Sequence, residues 1–541
     1  MIARAALLAA LVAAPAAAAQ EGAAHDHSLG RLGRVTFPVS CTPEAQRRFE
    51  HAMAVLHSFW WEEGERAFGA VVAADSSCAM AHWGRALSAW GNPFAGGPAG
   101  QALTHGAQAA RQASARPART PREQGFLNAV AALYREAEST PNAARLQAYA
   151  DTMARLHAGL PRDPEVTIYH ALAMLATAPR TDTTFAQQRA AVALLDPLFA
   201  RYPDHPGLAH YIIHSTDSPV MASHGLDAAR RYSRIAPAAP HARHMPSHIF
   251  IRLALWDETV ASNWQSYEAG MAHGRALGGQ GPTGEELHAL DYAVYAYLQQ
   301  GRDSAARHAV ATGAALPVRS SGSTLAGHYN RTAMAARVPL ELGDWTSAAA
   351  FPAPASSDAP VAAVLRRFTR AIGLARAAKP AEARTEVAAL DSLARELETK
   401  EPYWSRVAGI KRDAARAWVL FQSGDSAGGL TLAAAAADTE EVTDKHPVTP
   451  AELLPARELY GDMLLAAGRY PEAGAAYRAT LARERGRARS LFGLARAAEL
   501  AGDRAAASEG YGAYLTAMKR SDGGRPDLAT ARNFLRKAPQ R

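Results

Sequence analysis

Cysteine is nearly absent. Cys41 and Cys78 are the only two in 541 residues, too few for an iron–sulfur centre or a cysteine-rich zinc site. Aromatic residues are sparse at 7%, and the strict apolar/polar alternation of half-buried strands is missing, which argues against a sheet-based fold. After the N-terminal stretch no run approaches the ~18 apolar residues that a membrane-spanning helix needs. HExxH, Walker A and CxxCH strings are absent; in the string His210-Tyr211-Ile212-Ile213-His214, Tyr211 stands where a zincin would carry its glutamate. Charge of one sign is not concentrated either. The 58 Lys and Arg against 51 Asp and Glu give a net +7, scattered rather than gathered in a basic stripe, so no nucleic-acid partner is expected.

What remains is an alanine-rich chain, 48% hydrophobic and 20% charged, a soluble globular composition that favours helix. Its length exceeds one compact core and implies several domains or a repeat array. The opening "MIARAALLAALVAAPAAAAQEG" pairs a basic residue, Arg4, with a short apolar stretch, Ala5 to Val12, and small residues at Ala17 to Ala19. This pattern predicts a signal peptide over residues 1–19 and an exported protein, periplasmic or secreted, with no membrane span. Export predicts in turn a Cys41–Cys78 disulfide. Residues 20–42, polar and glycine-rich, read as a flexible leader whose His25 and His27 could hold a metal only loosely.

From about residue 43 the chain reads as successive amphipathic helix pairs. Near the C-terminus a period is explicit: Gly468 recurs as Gly502, Ala473 as Ala507 and Tyr477 as Tyr511, each 34 residues on. With Gly461 and Tyr470, these positions resemble the tetratricopeptide repeat (TPR) family, and the chain is similar to uncharacterised exported bacterial TPR proteins with histidine-bearing repeats. Looser turns occur at Gly301, Gly343 and Gly424. The resemblance implies an all-α superhelical solenoid of about twelve helix-turn-helix hairpins with a concave groove. Glycine- and proline-rich spacers at 88–101, 276–286 and 348–360 divide it. The expected organisation is an N-terminal array over 43–350, a C-terminal array over 360–520 and a tail over 521–541.

The histidines follow the same period. Pro203 and Pro237, and Pro206 and Pro240, are 34 residues apart, and the pair His210/His214 maps onto His244/His248 at that interval. Spacing of four places each pair on one helix face, and His241 falls on the same stripe as His244 and His248. The next first helix carries His288 and Asp291. The TPR resemblance implies that these positions line the groove. His210, His214, His241, His244, His248, His288 and Asp291 are therefore candidate ligand-binding residues. Within that set, His210, His214, His244 and His248, together with Asp217, are candidate ligands for one transition metal, zinc or copper. Three readings follow: a scaffold that binds a ligand, protein or peptide in this groove and holds a metal there; a metal-dependent enzyme with Asp217 or Asp291 as base; and a plain protein-interaction scaffold whose histidines form a structural layer. No reaction is implied by any motif.

Overall fold

In the computed structural model, residues 29–319 and 324–537 are described. They form 26 α-helices and no strand, each packed chiefly on its neighbours in the chain. This is the all-α solenoid of helix hairpins that the sequence predicts, and the chain folds as a TPR-like helical repeat. Prolines open helices where the missing N–H has no partner to lose: Pro43, Pro164, Pro206, Pro240 and Pro360 each sit in the first turn. Side chains cap several of these starts, as Thr42, Asp163 and His205 do. The repeat-turn glycines Gly468 and Gly502 adopt φ of 75° and 82°, the left-handed backbone that explains their recurrence.

Three expectations are corrected. The leader expected to be flexible over 20–42 is packed wherever it is described. Leu32, Val35 and Phe37 are buried, and Phe37 sits among Phe49, Trp83 and Phe126. Burying such a ring contributes about 1.5–3 kcal/mol. Arg34 N donates to Asp204 O at 2.9 Å and Arg31 O accepts from Ala238 N at 3.1 Å, so this segment straps the first hairpin to the histidine repeats. The Cys41–Cys78 disulfide, with Cα atoms 5.3 Å apart, fixes its end. The signal segment, His25 and His27 lie outside the described residues.

The boundary expected at 350–360 does not divide two cores. Tyr329, Ala333 and Leu340 share one apolar cluster with Phe351, Val364 and Phe368, because helix Thr324–Leu342 packs on helix Pro360–Arg376. The tail expected over 521–541 is largely a closing helix, Pro526–Arg536, with Leu528 and Ala531 buried. Arg525 Nε bonds Asp303 Oδ2 at 3.0 Å, pinning the end of the array to its middle.

The largest departure from a plain open groove is the segment 442–455 between helices Ser426–Glu441 and Ala456–Ala466. It crosses the histidine-bearing helices. Asp444 N donates to Arg180 O at 3.2 Å, Lys445 Nζ lies 3.5 Å from Asp217, and Arg337 donates to Thr449 Oγ1 at 2.8 Å and Ala451 O at 2.9 Å. The inner face over His288 and Tyr292 is therefore covered by the chain itself.

Candidate metal centre

Four helices supply the site: Pro206–Thr216, the consecutive pair Pro240–His244 and Pro246–Arg252, and Gly284–Gln299. Pro246 removes the hydrogen bond to the Ala242 carbonyl, yet Met245 between the two short helices keeps helical dihedrals (φ −53°, ψ −36°). The i, i+4 relation of His244 and His248 therefore survives, with their Nε2 atoms 3.0 Å apart.

That contact is the most informative one in the molecule. His244 Nδ1 donates to Asn263 Oδ1 at 2.6 Å; the amide is oriented by its Nδ2, which donates to Thr259 O at 2.7 Å. His248 Nδ1 donates to Asp217 Oδ2 at 2.9 Å. His288 Nδ1 donates to Val448 O at 3.0 Å. Each acceptor has only lone pairs to offer, so each ring carries its proton on Nδ1 and its lone pair on Nε2; the Tyr292 hydroxyl, 3.5 Å from His248 Nε2, lies nearer the Pro447 and Thr449 carbonyls at 3.1 and 3.2 Å. Ligand atoms of His244, His248 and His288 all lie within 4.8 Å of one another. Two nitrogens bound to one tetrahedral ion at ~2.0–2.1 Å sit roughly 3.3 Å apart, close to the spacing seen. Carboxylate, amide and backbone carbonyl are the groups that orient metal-ligating imidazoles.

A second triad lies beside the first. His210 Nδ1 donates to His57 O at 2.7 Å, and its Nε2 is 3.1 Å from His214 Nε2. His241 joins this pair within 4.8 Å, and its Nε2 is buried with no hydrogen-bond partner. Phe59 packs against all three rings, with centroids 4.3 Å from His210, 5.7 Å from His214 and 5.6 Å from His241. It does so from a φ of 52°, a conformation that costs a non-glycine residue about 1–3 kcal/mol. Ring pairs His214–His248 (6.3 Å) and His241–His244 (6.1 Å) join the two triads.

Burial, and then the neighbouring imidazoles, hold His210, His214 and His244 well below the usual imidazole range. Burial also lowers His248 despite Asp217, and pushes His288 down to about 3. These rings are neutral at neutral pH and available as ligands. Unfolded histidine takes its proton near 6.5, so from there down to about 3 the unfolded chain binds more protons than the folded one. Across that window stability must fall as pH drops, by about 1.4 kcal/mol per pH unit for His288, and the other lowered histidines act with the same sign. Metal-free protein is expected to show a urea midpoint that declines steadily from pH 7 to pH 5; a flat midpoint would contradict neutral burial.

Several sequence candidates take other roles. Asp217 is not a first-choice ligand: its Oδ2 accepts from His248 and its Oδ1 from Arg252 Nε at 2.8 Å. Burial raises its carboxyl, but Lys445, Arg252 and His248 outweigh this and hold it well below the carboxylate range. Asp291 is committed to Arg337 at 2.7 and 3.1 Å, with both side chains fully buried; it faces neither triad and is unsuited to act as a base. The stripe His241/His244/His248 splits, because His241 turns to His210 and His214. A third cluster, His57, Glu165 and His205, is a hydrogen-bonded layer. Glu165 accepts from His57 Nε2 at 3.1 Å and His205 Nε2 at 2.9 Å, while Leu208 N donates to His205 Nδ1 at 3.3 Å. His205 thus spends both nitrogens on the protein. Gly207 permits this packing, since a Cβ there would stand 2.4 Å from His57 Nδ1. His82 is buried but joins neither triad.

Two glycine strings have the letters of catalytic motifs. Gly424-Asp425-Ser426-Ala427-Gly428 matches GxSxG, and Gly279-Gln280-Gly281-Pro282-Thr283-Gly284 matches GxGxxG. Both join helix to helix, whereas the nucleophile elbow and the dinucleotide fingerprint each follow a strand. Neither carries that chemistry here.

No family model matches the chain, and no curated protein matches it. Among solved structures it is similar to a monomeric mutant of IFIT1 with Gppp-AAAA, at 12% identity over 81% of this chain and 85% of that one, with a TM-score of 0.34. The human IFIT1 dimer with m7Gppp-AAAA gives 12%, 78%, 87% and 0.33, and Naa15/Naa10 bound to HypK-THB gives 11%, 91%, 74% and 0.22. Similarity this low transfers no site.

Sequence reasoning missed the groups that orient the histidines: the carbonyls of His57 and Val448, and Asn263. A backbone carbonyl has no sequence signature. Asn263, 19 residues after His244 on helix Trp256–Ala276, is one of many polar residues there.

Proposed function

We propose that this protein is an exported helical-repeat scaffold that holds a transition-metal ion, zinc or copper, on His244, His248 and His288. The single observation carrying this reading is that two Nε2 lone pairs face each other at 3.0 Å while both Nδ1 protons are committed elsewhere. Bare lone pairs at that distance repel; a cation between them turns the repulsion into two bonds, and His288 supplies the third. A purely structural layer would place an N–H opposite a lone pair, as the Glu165 cluster does. The neutral rings and their oriented Nδ1 protons support the same reading, and the Cys41–Cys78 disulfide supports export. Binding of a protein or peptide partner belongs to other faces of the solenoid, since segment 442–455 covers this one.

The test is metal analysis of untagged protein, loaded separately with Zn2+ and Cu2+ and then desalted. At least one ion per chain should be retained with one of the two. Protein that retains neither would overturn the proposal.

A further inference from the structure

The two triads differ in access. His244, His248 and His288 are all buried, beneath the Pro447, Val448 and Thr449 carbonyls that bind Tyr292 and His288. In the other triad His214 and His241 are only half-buried, and His214 forms part of the wall of a cavity of about 290 Å³. Phe94, Arg180, Gln188, Asp444 and Lys445 line the same cavity. The Phe94 ring lies 4.5 Å from that of His214, and the Gln188 Oε1 has no hydrogen-bond partner.

A three-histidine set enclosed by protein is the pattern of a closed ion, whereas three protein ligands beside free space leave a coordination position for water or a substrate. We propose that His210, His214 and His241 form a second transition-metal site, and that this ion accepts a small oxygen-donor molecule, such as a carboxylate or hydroxamate, from the adjoining cavity. Three features place the ion here. His210 has its proton fixed on Nδ1 by the His57 carbonyl. The His210–His214 separation of 3.1 Å repeats that of the first triad. His241 aims a buried nitrogen at the pair with no partner of its own. Arg180 in the wall offers a cation to the donor molecule's anionic group, and Phe94 offers it an apolar face. The inference rests on the metal reading of the first triad and extends it from one closed ion to a pair, one closed and one open.

Cobalt(II) titration of the metal-free full chain, followed by visible absorption and by metal analysis, tests it, with acetohydroxamate as the oxygen-donor probe. The wild type should bind two cobalt ions per chain, and His241→Ala, His214→Ala and His288→Ala one each. Acetohydroxamate should alter the spectra of the wild type and of His288→Ala but not that of His241→Ala. Circular dichroism establishes that each variant is folded. A wild type that binds one ion, unaffected by His241→Ala and His214→Ala, would overturn this inference and leave the first triad standing. A hydroxamate response in His241→Ala would overturn the assignment of the open ion. Binding of no cobalt, zinc or copper would overturn both readings.

Discussion

Protein carrying His244→Ala together with His248→Ala is expected to lose the ion at the closed triad completely on desalting, while remaining helical. The two changes remove two of three nitrogens from the site, and His288 alone offers only one donor to a divalent ion. The sharpest readout is linkage rather than retention. An ion that binds only the folded state stabilises it by about 4 kcal/mol when present at a thousand times its Kd. The wild type should therefore melt several degrees higher with metal than without. In the double variant the share of that gain due to this triad should vanish, whatever cavity the alanines leave in the metal-free protein. If the variant keeps the full metal-dependent rise in Tm, the ion does not sit here. Deleting the rings also removes the 3.0 Å lone-pair contact, so the metal-free double variant should lose less stability than two buried imidazoles ordinarily would.

Arg487→Met is the change with the largest expected effect on stability alone. Arg487 is fully buried; its Nε and Nη2 bond Glu458 at 2.7 and 3.0 Å, and its Nη1 lies 2.8 Å from Glu341 Oε1. Glu341 closes helix Thr324–Leu342 and Glu458 opens helix Ala456–Ala466, so this one guanidinium joins elements more than a hundred residues apart. Methionine fills a comparable volume but leaves the buried carboxylates of Glu341 and Glu458, and the less buried Glu484 at 3.6 Å, short of a counter-charge. Glu458 keeps Arg489 and Ser490, whereas Glu341 has no other ion pair among the described residues. Removing one partner of a buried pair costs about 3–5 kcal/mol. Urea unfolding followed by tryptophan fluorescence should show a loss of that size, and hydrogen exchange should place it in helices Thr324–Leu342 and Ala456–Ala466, which share one apolar cluster with Trp404 and Trp418. A loss below about 1 kcal/mol would mean that the carboxylates protonate or reach water.

The helices and their 34-residue period were legible in the chain alone. Alanine content, prolines in the first turn and glycines at a 34-residue interval act locally, within one or two turns of backbone, and are readable without tertiary contacts. The doubling of His210/His214 as His244/His248 was legible for the same reason: a repeat copies side chains into equivalent places. How the histidines converge was decided only by the tertiary structure. Equivalent positions in adjacent repeats lie side by side, but convergence of lone pairs depends on the turn of one repeat against the next and on which oxygen captures each Nδ1 proton. Hence His241 leaves its own stripe for His210 and His214, and Asp217 orients a ring instead of joining the ligand set. Asp291 pairs with Arg337, 46 residues away. The same limit hid the covering segment 442–455 and the packed strap over 29–42. Both are irregular stretches with no period of their own, held by buried apolar side chains and by hydrogen bonds to groups that are distant in the chain. Periodicity reports on the face a helix buries, whereas the site is built from atoms that only folding brings together.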